Sequence, residues 1–204
     1  LAALAERYAV DQGQAQFLIA TYLFGLGIGQ PLAGALSDRH GRRPVILAGF
    51  VLFTAASVAC AVATSFPALL VCRLLQALGV SVGTVGSRAI VRDTHDALGA
   101  VRALAWIGAA MGIAPVVGPV IGGLLSAWAG PQSVFAASAA LGLLVTIAMS
   151  LRLTETRRAA APDGQNQHWL GSYGQLLRSR LFMGYTLMYA FMQAAGLAND
   201  HVTS

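Results

Sequence analysis

The chain has 204 residues, 56% of them apolar and only 10% charged, with a mean hydropathy of +0.66. A soluble domain carries about 25% charged residues, so a water-soluble bundle, a disordered tail and a nucleic-acid binder are excluded as readings. The net charge of +5 comes from thirteen basic residues, every one an arginine, set in short tracts between long uncharged runs. That pattern belongs to a polytopic membrane protein whose arginines set its orientation.

In chain order, Leu1-Ala2-Ala3-Leu4-Ala5 reads as the tail of a helix whose body precedes it. No charge falls between Asp11 and Asp38, which predicts a first span over 17–36. About 20 residues at 1.5 Å per residue cover the roughly 30 Å hydrocarbon core. A second span is predicted over 44–64, a tight turn at Ser65-Phe66-Pro67, and a third over 68–89 with Arg73 inside it. Between Arg102 and Arg152 lie 49 uncharged residues, too many for one helix. The break at Trp128-Ala129-Gly130-Pro131-Gln132-Ser133 divides them into spans over 104–127 and 134–151. A sixth run occupies 181–198. The expected fold class is an all-α polytopic membrane helical bundle.

The segments 37–43, 88–102 and 152–180 hold eleven of the thirteen arginines, and two spans separate each from the next. By the positive-inside rule all three are expected to be cytoplasmic, with the turns at 65–67 and 127–133 external. Cys60 and Cys72 both sit in apolar runs and read as small buried hydrophobes rather than a disulfide or metal pair. His40, His95, His168 and His201 fall in loops or the tail, where solvated roles are expected. No catalytic, metal or cofactor set is expected, and no nucleic-acid partner.

Three stretches carry chemistry. Gly34, Asp38, Arg39, Gly41, Arg42 and Arg43 join the first two spans, with room for a charge-assisted network at the membrane face. This Gly-x-x-x-Asp-Arg-x-Gly-Arg-Arg order resembles motif A of the major facilitator superfamily, a twelve-helix transporter family. Arg73, about one and a half turns into the third span, is costly in hydrocarbon and is expected to face the bundle interior, with snorkelling to the external surface as the alternative. Arg73-Leu74-Leu75-Gln76-Ala77-Leu78-Gly79 resembles motif B, with Ala77 in place of the usual Gly. The resemblance implies a proton-coupling role for Arg73 and Gln76, and the cost of an unpaired charge predicts a partner for Arg73, an acid or polar group from the preceding helix 1 or from another helix of this half. Gly112, Pro115, Gly118, Pro119, Gly122 and Gly123 crowd the fourth span and resemble motif C, the antiporter signature. Gly118 and Gly122 make a small-xxx-small pair expected to admit close helix contact, and each proline removes a helix hydrogen bond.

Leu153-Thr154-Glu155-Thr156 looks like the Leu-Pro-Glu-Thr that often ends helix 6, with Thr154 in place of Pro, while the family's Trp-Arg before that helix is missing at Pro131-Gln132. The resemblance is to the front half of a drug:proton antiporter, nearest the bicyclomycin/chloramphenicol resistance (Bcr/CflA) branch. It implies that 1–151 holds the end of helix 1 and helices 2–6, that 152–180 is a cytoplasmic linker, and that 181–204 begins the second half. It implies an inner (plasma) membrane protein, not an enzyme, whose partners are the lipid bilayer, a small-molecule substrate, protons and the missing second half. Motif A is implied to act as a conformational latch, with Asp93 as a further member. Gln76 and Met111 are candidate cavity-lining residues, and substrate contacts are otherwise unassigned. A solute importer of the same fold, or an inactive truncated product, remains the alternative.

Overall fold

The computed structural model describes residues 2–155, together with 179, 183, 184 and 188. Leu1–Ala159 form one compact unit and Ala160–Ser204 a second. Six helices follow one another in the first unit: α1 (Ala2–Arg7), α2 (Gln12–His40), α3 (Arg42–Val62), α4 (Phe66–Thr94), α5 (Ala97–Ala129) and α6 (Ser133–Arg152). The last five are each long and apolar enough to cross a membrane. They correspond to the first five predicted spans. The sixth, 181–198, lies almost wholly outside the described residues, as do 156–178 of the expected linker.

Two expected loops are mostly helix. The 37–43 segment is helical to His40, and Gly41 alone separates α2 from α3. The 88–102 segment is helical except for His95 and Asp96. Charge marks where a helix leaves hydrocarbon, but the backbone has no reason to unwind there, since each residue that stays helical keeps its hydrogen bond. What ends the helices is local. Asp11 caps α2 in a reciprocal capping box, accepting from the Gly13 amide at 3.0 Å while Gln14 Oε1 accepts from the Asp11 amide at 3.2 Å. Ser65 caps α4, with proline in the first turn, and Asp96 caps α5.

α4 is the central element, packed along α2 on one side and α3 on the other, and α3 in turn packs on α6. The crossings are built on glycine. A Cβ on Gly25 of α2 would lie 2.7 Å from Ala77 Cβ of α4, and one on Gly29 would lie 2.8 Å from Ser81 Cβ. A Cβ on Gly79 of α4 would lie 2.6 Å from the Phe53 amide nitrogen and 2.7 Å from the Gly49 carbonyl oxygen of α3. Two backbones therefore meet there without side chains between them, which is how helices gain dispersion contact when lipid competes equally for apolar surface. Leu18, Cys60 and Leu69 are almost wholly enclosed in a second contact near the Ala63–Ser65 turn.

α5 behaves differently. None of its residues is buried, and nothing lies within 4 Å of a Cβ built on Gly112, Gly118, Gly122 or Gly123. The expected close contact through Gly118 and Gly122 is not made among the described residues. The helix runs unbroken through Pro115 and Pro119.

Gly79→Ala is expected to force α3 and α4 apart and to cost about 1–3 kcal/mol, the range for overpacking. Thermal unfolding in detergent checks this, with Gly27→Ala as the control, because nothing lies within 4 Å of a Cβ there.

Candidate functional site

Two polar constellations stand out in this apolar unit. The first lies at the α2–α3 corner. Gly41 has φ 97°, a left-handed backbone that favours glycine, and this tight reversal brings the end of α2 against the start of α3. Arg42 then reaches three partners. Its Nη1 donates to Asp38 Oδ1 at 2.6 Å and to Ser37 Oγ at 3.2 Å, and its Nε donates to Asp93 Oδ2 of α4 at 3.1 Å. The two ion pairs differ in environment. The Asp38 side chain is 70% exposed and that of Asp93 only 25%. An exposed pair contributes about 0.2–1 kcal/mol, and a partly buried one is screened less by water and salt. Asp93 is therefore the structural anchor, and Asp38 the partner most cheaply released.

Glu155 completes this corner. Its Oε1 accepts from the Arg42 amide at 3.0 Å and its Oε2 from the Arg43 amide at 3.2 Å, so one carboxylate caps the N-terminus of α3 from beyond α6. A Cβ on Gly41 would lie 2.7 Å from Glu155 Oε2, a second reason for glycine there. The Arg43 guanidinium donates to the Ser150 carbonyl at 3.2 Å and ties α3 to the end of α6. Arg39 is exposed. Gly34 is less constrained, since a Cβ there would make ordinary contact with Val85 Cγ1 at 3.9 Å.

The second constellation surrounds Arg73. Its Nη1 donates to Gln76 Oε1 at 2.8 Å, Gln76 Nε2 donates to Ser57 Oγ at 2.7 Å, and Ser57 Oγ donates to the Phe53 carbonyl at 2.7 Å. The guanidinium carbon stands 4.6 Å from the Tyr22 ring centroid of α2 and 5.5 Å from that of Phe135 of α6. Each such ring contributes about 0.5–2 kcal/mol toward holding a cation. Arg73 Nε is buried with no hydrogen-bond partner among the described residues. Arg73 thus points into the bundle instead of snorkelling. Its partners among the described residues are neutral: an amide of its own helix and two aromatic faces, with no acid among them.

Gln76 is 2% exposed and committed to this chain of bonds. It does not line the apolar cavity of about 300 Å³ between α3, α4, α5 and α6, where Phe50, Val80, Thr84 and Met149 surround the space and Met111 contributes as expected. Motif C remains apart from both constellations, on α5. Sequence reasoning missed Glu155 as a cap, Tyr22 and Phe135 as Arg73 partners, and Ser57 as the acceptor beyond Gln76. The 113-residue separation of Glu155 from Arg42 leaves no local signal, although its place at the end of α6 was visible.

Comparison with known proteins agrees with this architecture. The family described as Major Facilitator Superfamily matches residues 1–199. An uncharacterized MFS-type transporter, YdgK, of Bacillus subtilis (strain 168) is 32% identical over 96% of this chain and 49% of its own length. The chloramphenicol resistance protein of Pseudomonas aeruginosa is 35% identical over 86% of this chain and 41% of its length. Multidrug resistance protein D of Escherichia coli (strain K12) is 31% identical over 92% and 47%. The chain thus spans about half the length of the curated relatives it matches. Among solved structures, the human organic anion transporter MFSD10 (TETRAN) superposes with a TM-score of 0.57 at 29% identity, covering 72% of this chain and 33% of that one.

Glu155→Ala is expected to lower stability by about 0.5–2 kcal/mol, the range for a lost N-cap. Asp93→Ala is expected to cost more than Asp38→Ala. Midpoints of thermal unfolding for the three variants check this order.

Proposed function

The chain belongs to the Major Facilitator Superfamily, and from that premise we propose that it works, joined to a second six-helix half, as a proton-coupled exporter of drugs or similar small molecules. One observation carries the proton coupling: a guanidinium held inside an apolar helix bundle, with neither an acid beside it nor a hydrogen-bond partner for its Nε among the described residues. A charge kept at that cost marks a functional position in a membrane protein. Arg cannot usefully give up its proton. Its role is to bias an acid that approaches it in one conformation, lowering that acid's pKa and favouring proton release there. The Tyr22 and Phe135 rings hold the cation while that acid is away. Export, rather than import, is supported by the relatives named for chloramphenicol and multidrug resistance.

Arg42 supplies the conformational element. In an alternating-access cycle, two halves rock about a midplane site. The Asp38–Arg42 contact is exposed and inexpensive to open, while Asp93 and Glu155 keep the corner folded. Asp38, Arg39, Gly41, Arg42 and Arg43 then form a switch at the membrane face, and Gly112 to Gly123 of α5 serve the antiporter role implied by motif C. The arginine-rich segments 37–43, 88–102 and 152–180 lie on the cytoplasmic side of the inner membrane in this reading.

The test is drug efflux and drug-induced proton movement in inverted vesicles carrying the full-length protein, with expression level as control. Arg73→Ala is expected to abolish proton-driven export while leaving membrane insertion intact. Arg73→Lys is expected to restore it only in part, since lysine lacks the planar fork. Normal coupling in the Ala variant contradicts the proposal. Asp38→Asn is expected to slow turnover with nearly unchanged substrate affinity, and a large loss of affinity at normal turnover contradicts the switch role.

Orientation is tested separately by labelling single cysteines in a Cys60- and Cys72-free background. His40→Cys and Thr64→Cys suit this, because both positions are exposed. A membrane-impermeant thiol reagent added to intact cells is expected to modify position 64 and spare position 40. The reverse pattern overturns the orientation.

A further inference from the structure

We infer that Trp106 and Trp128 anchor α5 at the two surfaces of the bilayer, and that the side of α5 carrying them faces lipid. The two rings are 79% and 86% exposed. They stand twenty-two residues apart on one unbroken helix. That separation is about 33 Å along the axis, close to the roughly 30 Å hydrocarbon core once ordinary tilt is allowed. It is also only about 40° around the axis at 100° per residue, so both rings lie on one side. Tryptophan collects at membrane–water interfaces because an apolar ring and a polar N–H each find their solvent there.

The remainder of α5 agrees with this placement. No charged residue falls between the two tryptophans, and Arg102 lies about one turn outside Trp106, at headgroup depth. Gly130 ends the helix two residues beyond Trp128. Gly112, Pro115, Gly118, Pro119, Gly122 and Gly123 all fall between about 120° and 260° from Trp106, centred opposite the tryptophan side. Small residues serve close helix contact and offer lipid little, whereas the tryptophan side offers aromatic bulk at the two interfaces. The length of α3 gives an independent check. Arg42–Val62 covers about 30 Å, with its arginines at one end, and so defines a slab of the same thickness.

The inference needs only that α5 crosses a bilayer, so it stands or falls separately from proton coupling and export. It is tested with the full chain in phosphatidylcholine vesicles containing lipids brominated either near the headgroup or near the chain ends. Variants retain one tryptophan at a time, the others being replaced by phenylalanine. Trp106 and Trp128 are each expected to lose more emission to the shallow bromines than to the deep ones. Val117 lies midway between them in depth and on the same side, so Val117→Trp in a background lacking the other tryptophans is expected to show the opposite preference. Should Val117→Trp fail to fold, the two native reporters decide the matter alone. Emission from either native ring that no brominated lipid quenches shows a ring covered by protein, and stronger quenching by deep bromines shows a different depth. Either result overturns the inference.

Discussion

Helices inside a bilayer gain nothing from hiding apolar surface from one another, because lipid tails are as apolar as leucine. What remains is contact: backbones must come close enough for many weak dispersion terms to add. The first unit meets this constraint at the crossings of α4 with α2 and α3, where Gly25, Gly29, Gly49 and Gly79 remove the side chains that would hold the helices apart. Large apolar side chains such as Phe17, Leu23 and Phe24 are left on the outside, more than half exposed. In water that would be an aggregation hazard, and in lipid it is the ordinary solvent-facing side.

The polar features depend on that close packing. Arg42 of α3 reaches Asp93 of α4 only because the two helices touch along their length. Arg73 meets rings from α2 and α6 because α4 lies beside α2 while α3 brings α6 within reach. Ser57 closes the Gln76 chain from α3 on the opposite side of α4 from α2. Helices α2, α3, α4 and α6 therefore form one continuous packed arc. α5, which has no buried residue, lies outside it and depends on other surfaces for its fit.

Much of this was legible in the sequence. Gaps between charges located five membrane-crossing helices, because a charge in hydrocarbon is expensive enough to leave a mark. Helix ends were not legible from the same signal. Charge reports depth in the membrane, whereas His40 and Thr94 end helices that continue past the hydrocarbon boundary until Gly41 and His95 stop them. At the α2–α3 corner, the order of Asp38, Gly41 and Arg42 announced a network, and Asp93 was anticipated as a member. Glu155 was out of reach, since only the fold brings residue 155 to residue 42. For Arg73, sequence reasoning sought an acid or polar partner from another helix, whereas the hydrogen-bond partner among the described residues is Gln76 of its own helix. The rings of Tyr22 and Phe135 carried no sign of their role, because an aromatic at a helical position reads first as core. Gly118 and Gly122 show the converse failure, where a packing motif is present and its partner is not among the described residues.

Close approach at Gly25 and Gly29 implies that α2 and α4 move as one body in the proposed cycle. This is tested most directly by electron-spin distance measurements between labels on Gly27 of α2 and Val71 of α4, both positions with room for a label. The full-length protein would be measured with and without saturating substrate, at acid and neutral pH. The account predicts the same distance distribution in every condition, because in the proposed alternating-access cycle a rocking half carries both labels together. A shift approaching one helical turn, about 5 Å, would mean that the α2–α4 contact slides during the cycle, and would contradict it.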